Sequence, residues 1–186
     1  MFESLIEFYK KIPEFQQINL HDQILLIKCN LNHLIHIDHV LKENFHESSS
    51  YEKLMSHWIH FHFHQNMSKI RENYNHFIEN PLVLKLTLVT MIFTINLSSL
   101  PIEQFSNEFY NQKQLIEIQE FYLLLLMKYL RLIYGEKRSI QLFSILIFQH
   151  LRYQQIMNYF EIFLLKKKFF QHHHIHPLIK SILRLT

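Results

Sequence analysis

The chain carries a single glycine in 186 residues. Sheets built from hairpins need residues that enter positive φ at their tight turns, and glycine is the residue that does so without a Cβ penalty. One glycine and four prolines cannot serve the turns of a many-stranded fold, so the sequence is expected to be all-α. Hydrophobic residues make up 48% and aromatic residues 15%, enough to fill one full core, and nothing in the composition divides the chain into more than one domain.

Apolar residues recur at helical spacing in "SLIEFYKKI", and that helix stops at Pro13, because proline disfavours helical geometry in the residue before it. A second helix is expected from Asn19 to about Phe45, with Asn19 or Asp22 placed to accept from the free amides of its first turn. The stretch "HESSSYEK" reads as a surface loop. After it "HWIHFHFHQ", residues 57–65, alternates with a period of two and predicts a small β ribbon in an otherwise helical chain. Helical patterns resume at about 67–80, 82–98, 112–134 and 138–168, and Pro177 opens a short terminal helix, "PLIKSILRL".

The formal net charge of +3 is modest and forms no single basic block, which argues against a direct grip on nucleic-acid phosphates. Cys29 is the only cysteine, so no disulfide framework or cysteine metal pattern is available, and a reducing compartment fits. The N-terminal "MFESLIEFYKK" places Glu3 and Glu7 where a signal peptide needs an apolar core, so the chain is expected to stay inside the cell. Residues 81–100 are about long enough to span a bilayer, but Lys85, Asn96 and several hydroxyls interrupt them, and a buried core helix is the expectation.

Histidine is abundant, with 15 residues, and clusters at His57, His60, His62 and His64 and again at His172, His173, His174 and His176. In a strand His60, His62 and His64 would share one face. A physiological metal site wants three or four ligands on rigid, separate positions with supporting partners, and compositional bias accounts for the clusters more simply, so no metal site is expected. No Gly-rich phosphate loop, nucleophile elbow or zincin helix motif occurs, and catalysis is not expected.

The stretch "EFYKKIPEFQQINLHDQILLIK", residues 7–28, resembles the signature of nuclear receptor ligand-binding domains, commonly E-F-A-K-x-I-P-G-F-x-x-L-x-x-x-D-Q-x-x-L-L-K. Glu7, Phe8, Lys10, Ile12, Pro13, Phe15, Asp22, Gln23, Leu26 and Lys28 match in register, with Ile18 and Ile27 at two of the leucine positions. Further on, "LIEIQEFYLLLL" at 115–126 resembles the family's ninth helix, "HLRYQQIMNYFEIFLLKK" at 150–167 its tenth and eleventh, and "PLIKSIL" at 177–183 its terminal activation helix. The likeness covers residues 1–186 in the family's order and implies a three-layer helical sandwich, with the small β ribbon. It begins within the family's third helix, which implies a partial ligand-binding domain with no DNA-binding domain: a truncated receptor, a fragmentary gene model or a paralogue free of DNA binding.

What the resemblance implies about sites is specific. Ile6 and Lys10 on one helix, Ile24 and Lys28 on the next, bound a groove for a short L-x-x-L-L helix from a coactivator or corepressor, with Lys10 holding the peptide's C-terminal carbonyls. Leu178, Ser181 and Ile182 of the terminal helix form the opposite wall. Ser181 stands where the family carries a Glu, which weakens half of the charge clamp. Leu31, Leu34, Ile35, Phe93 and Leu123 either line a cavity for a small lipophilic ligand or fill it. Asp38 stands where acid-binding members carry an Arg, so a carboxylate ligand is disfavoured, and Glu14 and His33 replace the usual Gly and Glu. Ile145, Phe148, Leu151, Arg152, Ile156 and Phe160 lie where the family dimerises, with itself or with another nuclear receptor.

The resemblance thus implies a ligand-responsive or orphan regulatory module of a transcription factor, working in the nucleus with or without a cytoplasmic share. It needs no cofactor beyond a small lipophilic ligand, and it contacts neither DNA nor membrane directly. The alternative is a helical interaction protein related to nuclear receptors that has lost ligand response and acts by pairing.

Overall fold

The computed structural model describes residues 2–43, 61–95 and 109–166. In chain order these form α1 (Phe2–Lys10), α2 (Pro13–Gln17), α3 (Leu20–Lys42), α4 (Phe61–Tyr74) continued by a 3₁₀ turn (Asn75–Phe77), α5 (Leu82–Ile92), α6 (Gln112–Tyr134) and α7 (Glu136–Lys166). There is no strand among the described residues, and the fold is all-α. The ribbon expected at 57–65 is corrected over 61–65, which open α4; residues 57–60 lie outside the described residues. Ile70, Tyr74 and Phe77 of this stretch are buried at helical spacing, and packing of α4 against α7 overrides a short alternation that has no partner strand there.

Pro13 does more than stop α1. It is the first residue of α2, with Ile12 before it extended at φ −83° and ψ 120°, the geometry a residue preceding proline prefers. The five-residue helix exists to bury Phe15, which meets Tyr9 of α1 and Phe93 beyond α5 with ring centroids 6.1 and 6.2 Å apart.

α3 is the hub, packing against α1, α5 and α7. Asn19 caps it, its Oδ1 accepting from the Asp22 amide at 2.9 Å. α5 lies between α3 and α6 and is apolar nearly all round, as a helix buried on most sides must be. Its two buried threonines satisfy their hydroxyls internally, Thr87 donating to the Val83 carbonyl and Thr90 to that of Leu86, both at 2.8 Å. Asn30 of α3 reaches the end of this helix, donating through Nδ2 to the carbonyls of Ile92 at 2.7 Å and Thr94 at 2.8 Å, which a helix C-terminus leaves without intrahelical partners. No helix among the described residues is long and apolar enough to cross a membrane.

α6 and α7 are joined by Gly135 at φ 75°, ψ 168°, a conformation that side-chain-bearing residues rarely adopt. Its amide donates to the Arg131 carbonyl at 2.9 Å and its carbonyl accepts from Ser139 at 3.0 Å, so one residue closes the first helix and opens the second. The chain places its single glycine where α6 ends and α7, the longest described helix, begins.

Candidate functional site

The surface where α1 meets α3 presents the residues expected to bound a groove. Ile6 is half-buried, and Lys10, in the last turn of α1, is exposed. Lys10 Nζ lies 2.7 Å from Glu7 Oε1, and the hydrogen bond and charge of Lys10 hold the Glu7 carboxyl below its usual range. On α3, Ile24 is 44% exposed and Lys28 is exposed one turn later. Sequence reasoning missed Leu20, which is 70% exposed one turn before Ile24 and completes an apolar stripe ending in a cation. The four-residue spacing from Leu20 through Ile24 to Lys28 was the available clue. The opposite wall expected from Leu178, Ser181 and Ile182 lies outside the described residues.

Below this surface the signature residues do structural work. Asp22 is fully buried and its carboxylate accepts from the Tyr110 amide at 3.0 Å, the Asn111 amide at 3.2 Å and Asn19 Nδ2 at 2.9 Å. It thereby pins the segment entering α6 to the first turn of α3. Gln23 donates through Nε2 to the Ile18 carbonyl at 2.9 Å, and Gln16 through Nε2 to the Lys10 carbonyl at 2.6 Å, which closes the end of α1.

The expected ligand-contact residues divide. Leu31, Leu34 and Phe93 are fully buried in the core, Ile35 packs against it, and Leu123 is half-buried. Phe93 stacks on Tyr122 with planes 4° apart and centroids at 6.1 Å, so here an aromatic pair occupies interior space beside Phe15. Asp38 is buried and paired at 2.5 Å with Lys42, one turn along α3.

On α7, Phe148 is 67% and Leu151 52% exposed, whereas Ile145 and Ile156 pack against the core. Arg152 turns toward α4 and donates to Asn66 Oδ1 at 3.2 Å, and Phe160 lies further along the same helix. Ile140 and Ile147, also exposed, extend the outer stripe, and their seven-residue spacing was readable in the sequence.

A buried cluster of imidazoles and phenols was not anticipated. His33 and His36 of α3, Tyr74 of α4, and His150 and Tyr153 of α7 are all buried. Burial first, then the neighbouring imidazole of His150, holds His36 well below the ordinary histidine value; burial followed by His33 brings His150 down to about 4. Burial likewise raises the Tyr74 phenol far above its usual range. Among the described residues no group of three or more His, Cys, Asp or Glu is arranged to hold a metal ion; of the first histidine cluster only the backbone of 62 and 64 is described, and the second lies outside.

No protein-family model matches the chain, and no curated protein matches it.

Proposed function

We propose that the chain is a regulatory binding module of the nuclear receptor kind, a three-layer helical sandwich whose α1–α3 surface takes short amphipathic L-x-x-L-L helices from coactivators or corepressors. The observation that carries this reading is the exposed stripe Leu20, Ile24, Lys28 on α3, packed beside the α1 helix that bears Ile6 and Lys10. Exposed branched apolar residues flanked by cations suit a peptide helix, because the apolar side chains bury its leucines and a lysine offsets the partial negative charge of its free carbonyls. Binding of a small lipophilic ligand in the interior near Leu31, Leu34 and Phe93 would act by shifting the population of conformations that accept the peptide. The module works without a catalytic step, in the nucleus, and leaves DNA contact to other proteins. Titration of a labelled L-x-x-L-L peptide with the purified chain tests it: saturable binding lost in Ile24→Asp is the expected result, and equal binding by the native chain and Ile24→Asp overturns it.

A second reading, a ligand-independent dimerisation protein, is favoured by Phe148 and Leu151, large apolar side chains more than half exposed on one face of α7. Unpartnered apolar patches of this kind mark association surfaces. Sedimentation equilibrium of the native chain and of Phe148→Asp/Leu151→Asp checks it, with a dimer at micromolar concentration that the double substitution dissociates as the expected outcome.

A further inference from the structure

Where α3, α4 and α7 meet, the fold buries polar rings that the peptide-groove reading does not use. His36 lies nearly parallel to Tyr153, centroids 3.9 Å apart and planes at 18°, and shares a 2.8 Å hydrogen bond with the Tyr74 hydroxyl. One turn before Tyr153 on α7, His150 sits with its ring 5.9 Å from that of His36, and neither of its buried ring nitrogens has a hydrogen-bond partner among the described residues. His33, one turn before His36, acts on both. Three helices are thus joined by stacking and one hydrogen bond between rings that must be neutral to remain there.

We propose that this histidine seam is an acid-sensitive latch, whose protonation releases α4 and the second half of α7 from α3 while α3, α5 and α6 stay packed.

The surroundings favour release over compensation. On α3 Asp38 is already paired with Lys42, and Glu43 lies 4.0 Å from the His39 ring, a contact that becomes an ion pair only when His39 is protonated. α4 contributes Tyr74 and, one turn earlier, the buried residue Arg71; α7 contributes Arg152, which is directed at Asn66. A proton placed on His36 is opposed by burial and by the His150 imidazole, against the smaller help of a hydrogen bond to the His33 backbone, and a proton on His150 is opposed by burial and by His33. The remainder of the core is different in kind: α5 meets its neighbours through Val83, Leu84, Leu88 and Ile92, and α6 through Leu115, Leu126 and Leu130, none of which titrates. An unfavourable charge at the seam opens the joints that contain it and leaves the aliphatic joints intact.

Direction follows from linkage. The imidazoles are held below their ordinary value in the closed state and recover it when the seam opens, so the closed seam is favoured above about pH 6.5 and lost progressively below it. Each such histidine raises the open fraction by up to about tenfold per pH unit.

Hydrogen–deuterium exchange of the full chain at pH 7.5, 6.5 and 5.5, corrected for intrinsic rates, tests the latch. Segments 66–77 and 149–157 are expected to lose protection by about tenfold or more between pH 6.5 and 5.5, while 84–92 and 115–130 keep theirs. Uniform loss in all four segments, or no loss in the first two, overturns the proposal. His150→Phe removes a titrating ring whose nitrogens have no partner to orphan, and should flatten the pH dependence of 66–77 and 149–157; a dependence identical to the native chain's counts against the latch. Should that variant not fold, proton NMR of the native chain decides: histidine resonances that fail to titrate near pH 6.5 before the seam opens support the latch, and 15 ordinary histidine titrations overturn it.

Discussion

The Tyr122 hydroxyl of α6 donates to the Glu14 carboxylate of α2 at 2.5 Å, across 108 residues of chain. It fastens the short helix opened by Pro13 to α6, next to the stacked pair Phe93 and Tyr122. Burial, then the hydrogen bond and charge of Glu14, raises the Tyr122 phenol well above its usual range, which keeps the hydroxyl a donor at all working pH values. Tyr122→Phe is expected to cost about 1–2 kcal/mol, the worth of a half-exposed hydrogen bond to a charged group. A double-mutant cycle with Glu14→Gln, read by urea unfolding, should show the two losses to be non-additive; strictly additive losses would show that the pair does not interact.

Asp22 holds two backbone amides, Tyr110 and Asn111, that have no other acceptor among the described residues, and it is itself fully buried. Asp22→Ala leaves those donors unpaired at roughly 1–3 kcal/mol each, so a loss of about 3 kcal/mol or more is expected, with partial or complete unfolding near room temperature. Asn19→Ala, which removes only a helix cap and one bond to the Asp22 carboxylate, should cost about 1 kcal/mol. Circular-dichroism melting of the two variants checks the order, and an Asn19 substitution as damaging as the Asp22 one would contradict it.

How far the sequence disclosed this fold depends on whether the determining contact was local. The bounds of α6 at Gln112 and Tyr134 were readable because Asn111 caps the start, accepting from the Gln114 amide at 3.1 Å, and the only glycine follows the end. Asn19 was readable only as one of two candidate caps, with Asp22, and the structure gives the cap to Asn19; the reach of Asp22 to residue 110 is a tertiary fact with no local trace. The α2 helix was hidden because five residues are too few for periodicity; its reason is the burial of Phe15. The strand-like run ending in Gln65 misled because alternation over a few residues carries less weight than the packing of the helix it begins. The Leu20 to Lys28 stripe was half legible, through Ile24 and Lys28. The histidine seam was not, since among 15 histidines nothing in the sequence marks three that three-dimensional packing will bury.

Acid should destabilise the chain with a definite sign. His150 sits at about 4 in the folded chain against an ordinary value of 6.5, so its contribution is fully present above about pH 6.5 and is lost as pH falls toward 4. Between pH 7.5 and 5.0 that single group accounts for about 2 kcal/mol, and His36, displaced in the same direction, adds to the slope. With ring centroids 5.9 Å apart, two imidazolium charges would repel by about 3 kcal/mol at an effective dielectric constant near 20, so the folded chain does not carry both. Urea midpoints should therefore drop on going from pH 7.5 to 5.0 in the native chain and drop less in His150→Phe. An equal drop in both would place the acid sensitivity elsewhere.

The groove reading makes the sharpest demand on Lys10, because in the structure this lysine already has a partner. Its Nζ is 2.7 Å from Glu7 Oε1, yet both side chains are well exposed, and an exposed pair one helical turn apart is weak and screened by salt. The lysine is therefore available to a peptide carbonyl at little cost, and Glu7→Gln should change the affinity for an L-x-x-L-L peptide by less than about threefold. Lys10→Ala removes the cation itself and should weaken binding by about three- to tenfold, the scale of one charge acting on a helix terminus. Ser181→Glu, which restores the carboxylate that the family resemblance puts at that position, should tighten it by about tenfold, the scale of a charge-assisted hydrogen bond to the peptide's free amides. Deleting 177–186 separates two arrangements: a terminal segment that clamps the peptide makes deletion weaken binding, whereas one that occupies the groove through its own "IKSIL" pattern makes deletion strengthen it. A fluorescence titration in which Lys10→Ala, Ser181→Glu and the deletion all leave the peptide affinity unchanged would reduce Lys10 and Lys28 to solvated surface charges and end the coregulator reading.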